Sequence, residues 1–344
     1  LKLNKRKILY RDMGVRRDNS LSKIFYMMSF IPLTYISAFR YGVGTDYFGY
    51  VKIYNGDGKS TYEYVEGLFK LFTKILNIIS DNPQLFFFAS SLFIIGSYYR
   101  MIYMESQNYS YSILLFVLTN DYFRSMNTVR QYIAMAIAFI AIPYIKKKNW
   151  KVSLILLVIA CNIHMSVLIM VVFYILYLLD LKPTAYIVIS ALLYIGGSLV
   201  KNVMFPLISR FTEYGRYFSE KSGYSSGDFS TGFFLIYLSF GIMMIILYKK
   251  TRKSDNLKLL YTASFMGIMI SILSMYMTKN FSRLVYYMNI YVILYSPEMI
   301  SNISSKNLRR IIGLAIILCY IGVTIPLILK GNQTVLPYRS IWSN

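Results

Sequence analysis

The chain has 344 residues, of which 56% are hydrophobic and only 15% charged, whereas a soluble domain carries about a quarter charged residues. Its Lys and Arg outnumber its Asp and Glu by 37 to 15, giving a net charge of +22. The basic residues sit between apolar runs and form no nucleic-acid-binding motif, which excludes nucleic acid as a partner and leaves the pattern of the positive-inside rule. Apolar runs of about twenty residues, each able to cross roughly 30 Å of hydrocarbon, exclude a soluble core. They predict an all-α polytopic membrane protein forming one integral-membrane domain over 1–344.

Residues 1–20 are strongly basic, too polar to span, and suit a cytoplasmic arm. The chain opens on Leu1, so a segment upstream of it is expected. A first span over about 21–39 ends at RYGVGTDYFGY (40–50). An arginine beside a bilayer is costly unless it snorkels, pairs or lines a wet cavity, and Gly42 and Gly44 permit a tight turn or a close backbone approach. Asp46 sets an acid near Arg40. An outer excursion over 40–82 follows. Within it Val65, Leu68, Phe69, Phe72, Ile75, Leu76 and Ile79 recur at helical intervals with Lys70 and Lys74 opposite, which predicts an amphipathic helix at the membrane surface. Glu66 lies near its start.

Spans follow at about 83–103, 110–120 and 127–145, then the basic loop KKKNWK. Residues 152–181 make about 45 Å of helix, too long for one upright span. KKKNWK and the later KKTRKSDNLK share a membrane side only if this run crosses twice. We therefore read two short helices meeting near 162–166, with His164 at the break, a kind of interruption tolerated where it lines protein or water. Further spans are expected at about 184–200, 232–248, 257–277, 284–300 and 311–329. A second outer excursion with an amphipathic helix is expected over 201–231, and an outer tail over 330–344. The total is about eleven crossings, with the N-terminus inside.

Under this topology Arg40, Asp46, Glu66, Arg124, Arg130, His164, Arg210, Arg216, Arg283 and Arg339 all fall on the outer face, where positive charge is ordinarily depleted. Converging guanidinium groups match a diphosphate bidentately; the alternative is that they snorkel to headgroups. Asn127, Arg130 and Gln131 share one helical face, above a stripe of Ala134, Ala138 and Ala141 that favours close helix packing. His164, Asp46 and Glu66 are the candidate bases. Cys161 and Cys319 lie in apolar segments, and one histidine excludes a multi-His metal site. With no Gly-rich phosphate loop, zinc motif, DxD pair or nucleophile elbow, no cofactor and no bound metal are expected. Lys146, on the inner side, serves as the indifferent control for substitutions.

RYGVGTDYFGY, EGLFKLF (66–72), NTVRQYIAMAIA (127–138), IACNIHMSVLI (159–169), the arginine of NFSRLVYYMNIY (280–291) and PYRSI (337–341) occur in order along the chain. Together they resemble the EpsG-like branch of Wzy-type polysaccharide polymerases, with one departure at EGLF, where the family often has proline after the glutamate. The resemblance implies a GT-C-like glycosyltransferase of the bacterial plasma membrane. Such an enzyme moves a growing glycan from undecaprenyl diphosphate onto the non-reducing end of another lipid-linked repeat unit on the outer face, for O-antigen, capsule or exopolysaccharide. Its partners would be the donor and acceptor lipids, the membrane itself, and in the cell a flippase and a chain-length regulator. Arg40, Arg130 and Arg283 would hold diphosphates, Asp46 or His164 would activate the acceptor hydroxyl, and Asn127, Gln131 and Tyr338 would orient sugars. A flippase or transporter of lipid-linked sugars and a membrane acyltransferase using His164 are the competing readings.

Overall fold

A computed structural model describes residues 20–57, 65–211, 229–277 and 279–343. Residues 1–19 of the basic arm and 212–228 of the second outer excursion, with Arg216, lie outside them, as does the side chain of Arg210; the first part of that excursion, 201–211, continues a helix from Pro183. The chain runs α1 Ser20–Ala38, α2 Tyr47–Asn55, α3 Gly67–Ile79, α4 Gln84–Glu105, α5 Tyr109–Leu118, α6 Asp121–Asn127, α7 Val129–Ile140, α8 Ile142–Lys146, α9 Trp150–Cys161 and α10 Ile169–Leu179. It continues through α11 Pro183–Phe211, α12 Thr231–Ile246, α13 Tyr248–Thr251, α14 Asp255–Ser274, α15 Tyr286–Ser301 and α16 Lys306–Leu329. Single 3₁₀ stretches at Met165–Leu168, Lys279–Val285 and Asn332–Thr334 join them. The fold is an all-α polytopic membrane architecture.

Each segment expected to span is helical, but span length divides them. Among the described residues five helices are long and apolar enough to cross a membrane: Gln84–Glu105, Val129–Lys146, Pro183–Met204, Asp255–Ser274 and Lys306–Leu329. Apolar helices at 109–118, 150–161, 165–179 and 231–246 are shorter. Burial separates the bundle into centre and rim. The Asp255–Ser274 span is 89% buried, whereas Pro183–Met204 and Lys306–Leu329 are 6% and 11% buried and turn apolar faces outward. A helix apolar all round belongs inside a bundle, and one apolar on its outer face belongs against lipid.

The run 152–181 breaks where its excess length required. α9 ends at Cys161, a 3₁₀ turn covers Met165–Leu168, and α10 descends to Leu179. With twelve residues, α9 rises about 18 Å, so the break at 162–164 lies short of a full crossing. The amphipathic α3 meets it there: the Leu68 amide donates to the Asn162 carbonyl at 3.1 Å. Phe69 and Thr73 of α3 pack inward, while Leu71, Ile75, Ile78 and Ile79 are exposed. The α3 stripe is therefore split between protein and lipid, with Ile75 and Ile79 facing away from the core.

Tight helix crossings depend on two glycines. A Cβ on Gly267 of α14 would lie 2.4 Å from the Tyr237 ring of α12, and one on Gly197 of α11 would lie 2.2 Å from the Tyr276 ring. Gly267→Ala is expected to cost about 2–3 kcal/mol through overpacking, read as a lower unfolding temperature in detergent. Lys146 is not indifferent: its ammonium donates to Glu105 at 2.5 Å and to Asn256 at 2.7 Å. Lys146→Ala leaves the nearly buried Glu105 without its counter-charge and is expected to destabilise by about 2 kcal/mol. Lys147→Ala, at an exposed position, is the neutral comparison for the same melting measurement.

Candidate functional site

Helix ends bring the sequence motifs together. The C-terminus of α1, the starts of α4 and α7, the 162–164 break, the 279–285 turn and the end of α16 meet at one end of the bundle. There the tail lies across RYGVGTDYFGY: Tyr41 donates its amide to the Arg339 carbonyl at 2.9 Å, and Ile341 to the Phe39 carbonyl at 3.0 Å. Tyr338 donates its hydroxyl to the Ile36 carbonyl at 3.1 Å. PYRSI is therefore a strap over the Arg40 loop, and the Tyr338 hydroxyl is committed to that strap. Gly44, at φ +102, approaches α6 so closely that a Cβ would sit 3.0 Å from the Met126 carbonyl oxygen.

Several residues assigned to substrate are spent on this architecture. Arg40 is 0% exposed. Its guanidinium donates to the Ser37 carbonyl, to the Met126 carbonyl at 3.0 Å, and lies over the Phe87 ring at 4.7 Å. Burial lowers Arg40 to about 10, so it stays charged at neutral pH. It clamps α1, α4 and α6 and offers no face to a diphosphate. Asn127 accepts from the Thr45 hydroxyl at 2.7 Å and the Asp46 amide at 3.0 Å, and donates to Gln333 at 2.5 Å. These bonds orient the Asp46 loop. Gln131 is buried and donates to the Arg283 carbonyl at 3.3 Å, so it positions that turn.

Arg124 belongs to a buried cluster that sequence reading missed. Its guanidinium lies 3.7 Å from Asp121 and is flanked by the Phe233 and Tyr286 rings at 4.9 and 4.2 Å. Asp121 accepts from Asn289 at 2.7 Å, Tyr132 at 3.1 Å and Tyr98 at 3.2 Å. A carboxylate this deep persists because three donors and one cation replace its water. The available signal was the i, i+3 pairing of Asp121 with Arg124.

What remains at this end is a charged group around Asp46. Arg130 pairs with Glu66 at 3.0 Å, and the Arg130 amide donates to the Tyr50 hydroxyl oxygen at 3.2 Å. The other Glu66 oxygen accepts the Met165 amide at 3.1 Å, so Glu66 ties α3, α7 and the hairpin break together. Asp46 caps α2 without a side-chain capping bond. Its carboxylate is exposed, and the surrounding protein pushes its pKa above the ordinary aspartate value, opposed by the charges of Arg283 and then Arg130. Arg283 is half-buried. Among the described residues neither the Asp46 carboxylate nor the Arg283 guanidinium makes a hydrogen bond or close ion pair.

His164 joins the same group. Its Nδ1 accepts the Ser166 amide at 3.2 Å and lies 2.8 Å from the Ser166 hydroxyl, which in turn meets the Tyr287 hydroxyl at 2.8 Å. That network places the ring proton on Nε2. Burial, then the charges of Arg130 and Arg283, hold its pKa well below the ordinary histidine value. The neutral ring thus carries a donor at Nε2 and has its basic nitrogen occupied, which turns His164 from base to hydrogen-bond donor.

A pocket of about 260 Å³ beside this cluster is lined by Tyr41, Gly42, Phe48, Leu336 and Arg339 among others. A cavity of about 1810 Å³ lies at the opposite ends of the same helices, against Glu105, Lys146, Asp180 and Glu298. Among the described residues no group of three or more His, Cys, Asp or Glu is placed to hold a metal.

No curated protein and no solved structure matches the chain. The sequence model of the EpsG family matches residues 23–340. Nearly the whole chain, including every motif gathered around Asp46, thus lies within that match. The chain belongs to the EpsG family of polysaccharide polymerase-type membrane proteins.

Proposed function

We propose that the chain is a GT-C-like glycosyltransferase that polymerises lipid-linked repeat units at the outer face of the bacterial plasma membrane, with undecaprenyl diphosphate as the leaving group. The observation that carries this reading is the pairing of an uncommitted carboxylate, Asp46, with an uncommitted guanidinium, Arg283, within electrostatic reach of each other. In the proposed step Asp46 takes the proton from an acceptor sugar hydroxyl. The hydroxyl oxygen bonds to the donor anomeric carbon as the bond to the diphosphate breaks, and Arg283 with Arg130 meets the charge that develops on the leaving group. His164 donates through Nε2. Arg40, Arg124, Asn127, Gln131 and Tyr338 support the geometry.

Purified protein incubated with lipid-linked repeat unit in detergent is expected to produce a glycan ladder with no other protein present. Folded protein that yields no ladder would overturn the proposal. Transport of the same lipid is a second reading, favoured by the large cavity, bordered by charged side chains, at the opposite end of the bundle. Between that cavity and Asp46 the cores of α14 and α15 are closely packed. Movement of labelled lipid across vesicles without ladder formation would establish transport in place of polymerisation.

A further inference from the structure

The 1810 Å³ cavity lies far from Asp46. α4 begins beside Ala38, whose carbonyl accepts the Gln84 amide, and ends at Glu105 in the cavity floor. Its 22 residues rise about 33 Å, so the two sites occupy opposite membrane faces. The cavity exceeds the roughly 300–1,000 Å³ of an ordinary small-molecule pocket.

Its floor is a closed polar network. Lys146 bridges Glu105 and Asn256. Asn256 donates to Glu298 at 2.7 Å, Ser254 donates to Glu298 at 2.5 Å, and Tyr295 donates to Glu105 at 3.1 Å. Asp180 is answered by Arg252 at 2.6 Å and Lys258 at 3.5 Å. Asp255, also in the lining, accepts the Tyr177 hydroxyl at 3.2 Å, so each cavity acid is answered by a hydrogen-bond donor or a cation. Lys253 and Arg310, which also line the cavity, are exposed and make no side-chain hydrogen bond or ion pair among the described residues. The wall opposite is apolar and faces lipid: Leu314 of α16 and Tyr103 of α4 line the cavity and are 59% and 46% exposed.

We infer that this cavity binds the headgroup of an anionic membrane phospholipid, with the acyl chains leaving past Tyr103 and Leu314. Two unanswered cations select a phosphate-bearing group, and the lipid-facing wall selects an amphiphile over a soluble anion. The face that carries KKKNWK and KKTRKSDNLK is the one where anionic lipid is drawn to basic residues, at about 1 kcal/mol, or roughly fivefold in affinity, for each cation. The site stands independently of the polymerase reading.

Native mass spectrometry of the full chain in detergent, titrated with phosphatidylglycerol or with phosphatidylcholine of identical acyl chains, tests it. Phosphatidylglycerol is expected to be retained preferentially, and Lys253→Gln with Arg310→Gln is expected to weaken its binding roughly thirtyfold. The charge-conserving pair Lys253→Arg with Arg310→Lys should leave binding unchanged. Equal retention of both lipids, or full phosphatidylglycerol binding by the double glutamine variant, would overturn the inference. Competition by inorganic phosphate at concentrations equal to the lipid would overturn it as well, by making the site one for a soluble anion.

Discussion

Asp46→Asn is expected to lower the rate of glycan chain growth by about 10²–10⁴-fold, the range a positioned general base contributes. The amide keeps the shape of the carboxylate and cannot accept the proton. The loop is held by Asn127, whose bonds run to Thr45 and to the Asp46 amide, not to its carboxylate, so geometry should survive the exchange. The pH profile supplies a second check. Asp46 works as the base only when ionised, and its pKa is raised, so the acid limb of wild-type turnover should sit above the ordinary aspartate range. His164 is held neutral and adds no limb near pH 6.5. The stability effect has the opposite sign. A carboxyl whose folded-state pKa is raised favours folding below its unfolded pKa and loses that contribution as pH rises through the folded value. At neutral pH Asp46 therefore opposes folding, and Asp46→Asn should melt at or slightly above wild type. An inactive variant with undiminished stability is the signature of a functional group; a variant that loses activity and stability together would make Asp46 structural.

The membrane segments, the surface helix at Gly67–Ile79 and the broken hairpin were legible because each follows from length, period or charge. Thirty apolar residues cannot cross once upright, and basic flanks of equal sign require a return; those two facts alone place a break near His164. The division of labour among the arginines was not legible. Arg40 and Arg283 look alike in sequence, each beside a glycine- or aromatic-rich turn at the end of a span. Arg40 is enclosed because the Met126 carbonyl arrives from 86 residues away, and Arg124 because Phe233 and Tyr286 close over it. Such partners are set by how helices cross, which periodicity does not specify. Asn127 and Gln131 do not share the one helical face expected of them, because the backbone leaves the helix at Thr128 (ψ 55): Asn127 closes α6 and meets the Asp46 loop, while Gln131 lies on α7 and meets the Arg283 turn. The cavity beside Glu105 was invisible for the same reason: it is assembled from the ends of helices scattered over two hundred residues.

Arg283→Ala is expected to reduce chain growth by about 10²–10³-fold, the loss found when one preorganised electrostatic group is removed from a developing anion. Arg283→Lys should recover only part of it, since an ammonium cannot reproduce the bidentate geometry of guanidinium toward a diphosphate. Because the Arg283 guanidinium makes no hydrogen bond or close ion pair among the described residues, its removal leaves no orphaned partner, and melting should match wild type. Arg40→Ala provides the contrast. It strips the buried Met126 and Ser37 carbonyls of their donor and opens a void against Phe87, a loss of at least about 2 kcal/mol, so its activity should fall only as folded protein falls. Gln131→Ala lies between them: the turn carrying Arg283 loses its anchor at 3.3 Å, and turnover should drop about tenfold with little change in melting. Measuring ladder formation per mole of folded protein for all three separates the roles. If Arg283→Ala keeps wild-type turnover while Arg40→Ala loses turnover per folded molecule, the diphosphate contact belongs to the enclosed arginine and the assignment made here is wrong.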